Sequence, residues 1–490
     1  MKTSNLHAEQ AFESIEHRGE WWLPEHYDQK CFGNIYIIPK ENQQKLILLG
    51  SFEDNTIQNA FQMGGKYPVI HGRISSGDNI TIFDAICTAK KTSFNTPDLC
   101  ETTISFSEMW IGPELFSNQE ELKFENFIFS INNLELWHNQ NNFEYNPEDK
   151  IIKYNPPEKL ILFEDNLVSI SLGYRYSTHL GVSVTSFEQA TRIFVQAKQE
   201  KIPFYGKTQS CLFYIDLIYS LFSIFIGENP FIYSCIGVAQ NGEINNGHIQ
   251  QPKIAYTRYW RRSLPKEMPK KNTFLDIHFP YNLLNKQLQL IISCYAEKYK
   301  SIERLGSLVF KLIANQQIRQ YDDSSLPEMF YIFEGIMETL YKSEVTEQHN
   351  RLVNIDEFEK KRSKILSICP EELKTWLNNQ LPSYPMSNDR IAAAFITSSV
   401  IFSFISEEQY NQIFKYIRKA RNLYSHGSKS KIENWELYIP ITMWLRQLIT
   451  SLILNKCNCE INVIKKCYEN NHYYNNLKLT LPALLSSLNI

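Results

Sequence analysis

Short runs that alternate apolar and polar residues fill the first 180 positions of the chain, separated by turn-forming residues. β-Branched and aromatic residues dominate these runs, which is typical of strands that bury one face. The predicted strands are Phe32–Ile38, Lys45–Leu49, Tyr67–Ile74, Asn79–Ala85, Thr102–Phe106, Phe124–Trp137, Lys159–Phe163 and Leu167–Tyr176. Their close spacing predicts a sandwich or a bent antiparallel sheet.

The next 60 residues mix helical and strand-like patterns. Thr185 with an acid three residues later resembles a helix cap, so a helix is predicted over 186–200. Cys211–Ile226 is the longest apolar run, but it carries Asp216 and is too short to cross a bilayer, so a buried helix is predicted. Phe231–Val238 is predicted to be a strand.

From Leu283 onward, apolar residues recur at steps of three and four, which indicates helices. Predicted helices span 283–300, 302–320, 326–343, 355–368, 371–380, 389–405, 407–425 and 435–456. Ser325 and Glu328 form a predicted capping box for the third helix. Its predicted apolar stripe is Phe330, Phe333, Met337, Leu340 and Tyr341. The pattern predicts an α+β protein in two parts, a β-rich region over 1–280 and an all-α region over 281–490.

Composition narrows the class of protein. At 490 residues the chain exceeds the usual size of one core, and 43% hydrophobic content argues against disorder. A formal net charge of −3 excludes a general nucleic-acid binder, so any contact with a phosphate backbone should be a focused patch. The ten cysteines lack framework spacing, no charged-then-apolar leader opens the chain, and no stretch reaches transmembrane length. A cytoplasmic protein without a membrane partner is expected.

Two further clusters each admit two interpretations. One cluster consists of residues that could bind zinc, namely Cys457, Cys459, Cys467 and His472. Their spacing matches no known finger, so ordinary thiols are favoured and no metal or cofactor is predicted. The segment Arg258–Arg262 interleaves cations with aromatic rings, which suits base stacking and phosphate binding. A solvated linker into the helical region is the favoured interpretation, because prolines follow closely.

The helix predicted over 407–425 has clear signals at both ends. It begins with Ser406 and Gln409 at capping-box spacing, and Gly427 fits the left-handed residue that ends a helix. Its predicted apolar stripe is Ile413, Ile417, Ala420 and Tyr424. Acids stand in the first turn and cations toward the end, which matches the helix dipole.

Arg421, Asn422 and His426 at the end of this helix carry the clearest chemistry in the sequence. A guanidinium can neutralise a phosphodiester bidentately, and an imidazole that titrates near neutral pH can move protons to or from the 2′ and 5′ oxygens of RNA. The helix dipole favours the imidazolium form of His426, which suits a proton donor. The residues therefore predict an RNA-cleaving site.

The surroundings of the motif are basic. No Asp or Glu occurs from Gln409 to Ile432, and Lys415, Arg418, Lys419 and Lys429 are candidate RNA-binding residues within this window. Such a patch is the focused electrostatic contact that the overall charge requires.

The Arg-Asn-x3-His-Gly sequence, in a C-terminal helical region behind a long β-rich region, resembles the HEPN superfamily, specifically abortive-infection proteins of the ApeA type. The resemblance spans most of the chain, and its specific part is the motif within residues 300–456. It implies a metal-independent endoribonuclease used in anti-phage defence, with Arg421 and His426 aligned to the family's R-x4-6-H motif and Asn422 to the polar residue that follows the Arg.

The resemblance also implies a mechanism and partners. Two copies would pair across a two-fold axis, so that two Arg421 and two His426 form one cleft and leave a 2′,3′-cyclic phosphate and a 5′-hydroxyl. A carboxylate on the 326–343 helix, Glu334 or Glu338, is a candidate to orient Arg421. Of the two, Glu338 is predicted to be the residue that supports Arg421. RNA, with transfer RNA as one candidate, and a phage-derived trigger are the expected partners.

Two other functions remain open on the sequence. One is a non-catalytic helical interaction module whose β domain binds a ligand or a protein. The other is a carbohydrate-binding β-sandwich, suggested by Trp21, Trp22, Trp110 and Trp137. Burial in the β core is the ordinary explanation for these tryptophans.

Overall fold

The computed structural model describes residues 12–52, 64–93, 96–139, 143–146, 151–155, 159–180, 185–227, 230–240, 244–245, 248–249, 254–260, 273–317, 324–344, 355–380, 400–425 and 434–487. The chain divides into two compact units, residues 1–282 and 283–490. The first is dominated by strands and the second by helices, so the predicted α+β class, a β-rich region followed by a helical region, is confirmed.

The first unit contains one large antiparallel sheet. Its described strands are β1 Ile15–Trp22, β2 Cys31–Ile38, β3 Gln43–Leu49, β4 Lys66–Ile74, β5 Asn79–Ser93, β6 Thr96–Ser105, β7 Glu108–Gly112, β8 Lys123–Phe124, β9 Asn126–Ile131, β10 Phe143–Asn146, β11 Ile151–Tyr154, β12 Leu160–Glu164, β13 Val168–Leu180, β14 Thr185–Ala197, β15 Ile202–Pro203, β16 Ile232–Gln240, β17 Ile244–Asn245, β18 His248–Ile249 and β19 Ile254–Trp260. Thirteen of them form the order β12-β13-β14-β9-β16-β19-β7-β5-β4-β1-β2-β3-β6. The other six form the two-stranded pairs β8–β15, β10–β11 and β17–β18.

Part of this sheet closes into a six-stranded barrel, because β5 also pairs with β6. The first half of β5 pairs with β4 and β7, and the second half, from Ile86, pairs with β6. Alternate residues point inward and fill the barrel with apolar side chains. These include Trp21, Ile35, Ile37, Leu46, Leu48, Ile70, Ile80, Ile82 and Ile104. The sequence predicted a sandwich or a bent sheet, and only the long-range pairing of β5 with β6 reveals the closure.

The helix predicted over 186–200 was wrong, because this segment is strand β14. All thirteen of its residues pair with β13, and Ile193 to Gln196 pair with β9 on the other side. Ile193 and Val195 are fully buried, whereas Arg192 and Phe194 are partly exposed, which is the two-residue period of a strand. Two neighbouring strands therefore outweigh the local capping signal at Thr185.

The basic cluster at Arg258 is part of the β core. Arg258 lies in β19, where its Nε donates a hydrogen bond to Glu108 Oε1 at 2.7 Å. Its guanidinium carbon lies 4.6 Å from the centroid of the Phe204 ring. The solvated-linker interpretation is therefore wrong at this position, and a buried cation cannot contact an RNA backbone. The residues from Arg261 to Asn272 lie outside the described part of the chain.

The four tryptophans of the carbohydrate hypothesis are buried. Trp21 and Trp137 are fully buried, and Trp22 and Trp110 are nearly so. The indole of Trp137 donates to the carbonyl oxygen of Phe279 at 2.8 Å. Because none of these four indoles presents a face to solvent, these residues form core rather than a sugar platform.

The helices of the chain, as far as the structure describes them, have the following bounds. They are α1 Leu134–His138, α2 Cys211–Ile226, α3 Tyr281–Leu284, α4 Leu288–Ser301, α5 Glu303–Gln317, α6 Ser325–Leu340, α7 Ile355–Ile368, α8 Glu371–Gln380, α9 Glu407–Ser425, α10 Tyr438–Lys456, α11 Ile461–Glu469 and α12 His472–Ser487. The prediction of α2 as a buried helix is confirmed. Most of the helix predicted over 389–405 lies outside the described residues.

One described helical segment, Trp435–Lys456, is long and apolar enough to cross a membrane by length and composition, so the statement that no stretch reaches this length was wrong. Within the structure 78% of its apolar window is buried, as in the core helix of a bundle. Trp444, Leu448 and Leu452 face the interior of the second unit from this helix.

The cysteines considered as zinc ligands lie around the end of α10 and in α11. Cys457, Cys459 and Cys467 are all buried, and burial raises the pKa of Cys459 to about 12. Among the residues that the structure describes, no three His, Cys, Asp or Glu side chains are grouped so that they could hold a metal ion.

Candidate functional site

Helix α9 carries the motif, and its start is the predicted capping box. The backbone N–H of Gln409 donates to Ser406 Oγ at 3.2 Å, and the backbone N–H of Ser406 donates to Gln409 Oε1 at 3.0 Å. This reciprocal pair satisfies two backbone donors that the helix geometry leaves unpaired. The helix then runs to Ser425, so Asn422 lies in its last turn and Arg421 immediately before that turn.

One face of α9 is buried. The buried side chains are Tyr410, Ile413, Phe414, Tyr416, Ile417 and Ala420. The predicted stripe was wrong at its end, because the Tyr424 side chain is 53% exposed. Phe414 takes part instead, with its ring 5.9 Å from that of Phe333 on α6. Packing against α6 orients the helix so that the motif end reaches solvent.

Helix α6 supplies the other wall of the site. Its predicted apolar stripe is confirmed, since Phe330, Phe333, Met337, Leu340 and Tyr341 are all buried. The predicted capping box was wrong. The helix starts at Ser325 without a side-chain cap, and the backbone N–H of Leu326 donates instead to Tyr438 Oη on α10 at 2.9 Å. Gly335 permits close packing on α5, because a Cβ there would lie 2.7 Å from Leu308.

The Arg421 side chain is held at the exposed junction of α6 and α9. Its Nη1 lies 3.4 Å from Glu334 Oε1, and its guanidinium carbon lies 5.6 Å from the centroid of the Phe330 ring. The Arg421 side chain is 48% exposed, and that of Glu334 is 29% exposed. The separation of the two charged groups exceeds the roughly 2.7–2.9 Å of a tight charge-assisted hydrogen bond. The guanidinium is therefore oriented and still open to solvent.

The carboxylate beside Arg421 is Glu334, so the choice of Glu338 was wrong. Glu338 Oε2 instead accepts from Arg304 Nη1 on α5 at 2.9 Å. The two acids lie one turn apart on α6 and both reach the surface. Helix α5 packs along one side of α6 and α9 packs along the other. Glu338 therefore meets Arg304 of α5, and Glu334 meets Arg421 of α9.

The remaining motif and basic residues are distributed along the end of α9. Asn422, Lys415, Arg418 and Lys419 are exposed. Arg418 Nε also donates to the carbonyl oxygen of Phe414 at 3.4 Å, one turn back. His426 and Lys429 lie outside the described residues, so the closeness of His426 to Arg421 stays a prediction.

Sequence reasoning missed two groups beside the motif, Phe330 and Tyr331. Phe330 was recognised as a core residue but also lies under the Arg421 guanidinium. Tyr331 is 47% exposed and contacts Arg304 and Lys311 of α5. The available signal was an aromatic residue at an exposed position of an otherwise well-patterned amphipathic helix, followed by acids three and seven residues later.

Two family models match parts of the chain that together include most of both units. Residues 16–295 match the family model for ApeA N-terminal domain 1, and residues 328–460 match that for the Apea-like HEPN domain. The second match includes α9, most of α6 and all three motif residues. No curated protein and no solved structure is significantly similar to the chain. The first of these matches alone covers more than half of the chain, and the two together show that the chain belongs to the ApeA-type HEPN family.

Proposed function

We propose that this protein is a metal-independent endoribonuclease of an anti-phage abortive-infection system. The observation that carries the proposal is the Arg421 guanidinium, which is oriented by Glu334 and Phe330 yet remains about half exposed at the end of the motif helix. A buried arginine could not meet a phosphate, and an unrestrained one would lose more conformational entropy on binding. HEPN domains are commonly ribonucleases, which supports the same activity here.

In the proposed reaction, the 2′-hydroxyl of the RNA attacks the adjacent phosphorus. One His426 accepts the proton of the 2′-hydroxyl, and a protonated His426 donates a proton to the 5′ oxygen as the P–O5′ bond breaks. Arg421 stabilises the charge that develops on the pentacoordinate phosphate, and Asn422 orients a phosphate oxygen. The products are a 2′,3′-cyclic phosphate and a 5′-hydroxyl.

Two protons move in this reaction, so two imidazoles are required at once. A two-fold dimer supplies them, because its isologous interface brings two copies of the motif into one cleft. The exposed position of the α9 end on the second unit is consistent with such pairing. Homodimerisation is accordingly part of the proposal.

The N-terminal unit then has a regulatory role. A ribonuclease that cleaves cellular RNA must be restrained before infection, and we assign that restraint to the β-rich unit and its release to a phage-derived trigger. The substrate is RNA of the cytoplasm, with transfer RNA as the leading candidate, since an unpaired anticodon loop has the flexible backbone that in-line attack requires.

The test is cleavage of RNA by the purified protein, assayed alone and with an extract of phage-infected cells that supplies the trigger, and compared with a His426→Ala variant. Wild-type protein should cleave in EDTA, because the nucleophile is the substrate's own 2′-hydroxyl and the charge is neutralised by a guanidinium. A 2′-deoxy substitution at the scissile position should block cutting. His426→Ala should lower the rate about 10²- to 10⁴-fold, which is the usual contribution of general acid–base catalysis.

The opposite result is equally informative. If a folded His426→Ala protein cleaves RNA at the wild-type rate, the catalytic centre lies elsewhere. If neither protein cleaves any RNA and both bind it or a protein ligand, the chain is a non-catalytic HEPN interaction module.

A further inference from the structure

Next to the proposed active site, α5 and α6 expose an aromatic ring between two cations. The Tyr331 side chain is 47% exposed. Lys311 Nζ lies 4.8 Å from the centroid of its ring, and the guanidinium carbon of Arg304 lies 5.7 Å from it. We call Tyr331, Arg304 and Lys311 the Tyr331 platform.

The platform faces the same side of α6 as the carboxylate that holds Arg421. Residues three apart on a helix differ by about 60° around the axis and about 4.5 Å along it. Tyr331 and Glu334 therefore share one exposed face, and Glu334 Oε1 lies 3.4 Å from Arg421 Nη1. The ring is one helical turn from the carboxylate that orients the guanidinium.

Cations flank the ring on this face. Glu338 is paired with Arg304 at 2.9 Å and Glu334 with Arg421 at 3.4 Å, so these two acids are each matched by a guanidinium, and Glu328, one turn before Tyr331, is a further exposed acid of α6. The exposed Lys311 adds a third cation. Hydrogen bonding from Arg304 also lowers the pKa of Tyr331.

A ring flanked by cations has the chemistry to hold one nucleotide. Bases of any identity stack on an aromatic face, and neighbouring Lys and Arg side chains hold the phosphates on either side. Stacking of a base on a ring is stronger than the contact of an exposed cation with that ring. A base can therefore displace Lys311 from the ring, and the freed ammonium then contacts the phosphate.

Resting on the proposed function, we infer that the Tyr331 platform is the subsite that binds an unpaired nucleotide of the RNA next to the scissile phosphate at Arg421. A base within a duplex is already stacked and paired, so its faces are unavailable to Tyr331. The platform thereby selects single-stranded segments, such as loops, by stacking and not by reading base edges. Helix α5, which supplies both cations, lies between the two ranges matched by the family models.

The test measures binding separately from cleavage. A fluorescent single-stranded RNA oligonucleotide is titrated with full-length His426→Ala protein. The same measurement is made with two double variants, which carry Tyr331→Ala or Tyr331→Phe in addition to His426→Ala. We expect Tyr331→Ala to weaken binding about tenfold and Tyr331→Phe to bind within about twofold, because Phe keeps the stacking face. Leu479→Ala is the matched control, since Leu479 is an exposed apolar side chain on α12, 75% exposed.

The RNA and the salt dependence make the test specific. An oligonucleotide with one abasic residue at the position beside the scissile bond should bind equally to the protein that retains Tyr331 and to its Tyr331→Ala variant, because there is no base to stack. A duplex of the same sequence should show no Tyr331 dependence. Lys311→Ala should reduce the slope of log K against log salt by about one, and Lys478→Ala on α12 should not.

The outcomes separate this inference from the proposed function. Equal binding of the single-stranded RNA with and without Tyr331→Ala overturns the inference, and parallel cleavage assays with intact His426 show whether the nuclease proposal still stands. A change of oligomeric state in Tyr331→Ala, measured by light scattering, would also overturn it, because the ring would then belong to an interface between copies. Tyr331-dependent binding without any cleavage would leave the RNA subsite in place and remove the nuclease.

Discussion

Each unit of this protein contains an arginine that pairs with a glutamate and lies over an aromatic ring, but the two pairs differ in their separation and in their exposure to solvent. In the β-rich unit, Arg258 Nε lies 2.7 Å from Glu108 Oε1, and the side chains are 9% and 10% exposed. In the helical unit, Arg421 Nη1 lies 3.4 Å from Glu334 Oε1, and the side chains are 48% and 29% exposed. One pair is sealed in a core and the other is open to solvent.

The environment of Glu108 explains why the first pair is structural. Trp110 Nε1 donates to Glu108 Oε1 at 2.8 Å, and the Tyr205 hydroxyl donates to Glu108 Oε2. Burial raises the pKa of Tyr205, so this hydroxyl remains a donor. Enclosed by these partners, the Arg258 guanidinium cannot reach an external ligand.

The Arg421 pair has the opposite property. An exposed ion pair is worth about 0–1 kcal/mol, so a phosphate can replace Glu334 at little cost in free energy. The comparison teaches that an arginine in a basic, aromatic stretch of sequence is a functional candidate only when its guanidinium remains partly hydrated. Arg258 and Arg421 both stand in such stretches, and burial distinguishes them.

Removing the buried acid should have the largest effect. Glu108→Ala leaves the Arg258 charge buried and unpaired, and we expect the free energy of unfolding to fall by about 3–5 kcal/mol. Chemical denaturation followed by circular dichroism measures this loss. The control is Glu120→Ala, an exposed acid of the same unit, which should change stability by less than about 0.5 kcal/mol.

A second variant keeps this prediction sharp. Glu108→Gln combined with Arg258→Met removes both charges while a side-chain oxygen remains to accept from Trp110 and Tyr205. The double variant should be more stable than Glu108→Ala, because no buried charge is left without a partner. If it is less stable, the ion pair itself contributes net stability and our account of the β core is wrong.

A buried histidine in the β-rich unit should make its stability depend on pH. Burial lowers the pKa of His138 from 6.5 to about 4, and its Nε2 lies 3.1 Å from the Tyr174 hydroxyl. Between pH 6.5 and pH 4 the unfolded chain binds a proton that the folded chain does not. The contribution of His138 to the free energy of unfolding should therefore fall by about 3 kcal/mol as the pH is lowered through this range. Glu135, whose pKa burial raises to about 7, acts in the opposite direction, so the contribution of His138 has to be isolated.

The contribution of His138 can be isolated by substitution. In His138→Gln the part of the acid destabilisation due to this ring should disappear, so the difference in unfolding free energy between variant and wild type should shrink as the pH falls from about 7 to about 4. His26→Gln, at an exposed position, should leave the pH profile unchanged. A parallel pH profile in His138→Gln would show that the ring binds its proton over the same pH range in the folded and the unfolded protein.

RNA cleavage should depend on the planar shape of the Arg421 guanidinium more than on its positive charge. Arg421→Lys keeps the positive charge but loses the planar fork that matches a phosphate, so we expect RNA cleavage to fall at least tenfold, about 1.4 kcal/mol of transition-state stabilisation. Single-turnover cleavage measures the change, and stability should stay within about 0.5 kcal/mol of wild type. Arg73→Lys, at an exposed position of β4, is the control. Near-normal cleavage by Arg421→Lys would mean that Arg421 acts only as a point charge.

The smallest effect is expected at the carboxylate that orients Arg421. Glu334→Gln should lower the cleavage rate about two- to fivefold, because an exposed pair contributes at most about 1 kcal/mol to positioning the guanidinium. Glu338→Gln, one turn away and paired with Arg304, provides the comparison in the same assay. A larger loss in Glu338→Gln than in Glu334→Gln would reverse our assignment of the orienting residue.

Local signals in the sequence were sufficient to predict where α9 begins and ends. Ser406 and Gln409 bond to each other as their spacing predicts, because a capping box is closed within four residues. The pattern of apolar residues also located α2, α6 and nine of the thirteen strands of the large sheet, since each depends on a buried face. The motif residues were visible in the same way, through their side-chain chemistry at the end of a recognisable helix.

The sequence by itself determined the α+β class, the limits of the motif helix and the identity of Arg421, Asn422 and His426 as candidates, because these depend on neighbours along the chain. Tertiary structure alone decided that residues 185–197 form a strand, that Arg258 is buried, and that Glu334 and not Glu338 meets Arg421. Each of these depends on a partner many residues away. The strand is stabilised by pairing with β13 and β9, the burial of Arg258 by the Glu108 side chain, and the choice of Glu334 by the packing of α6 between α5 and α9. A local sequence pattern contains none of these free energies.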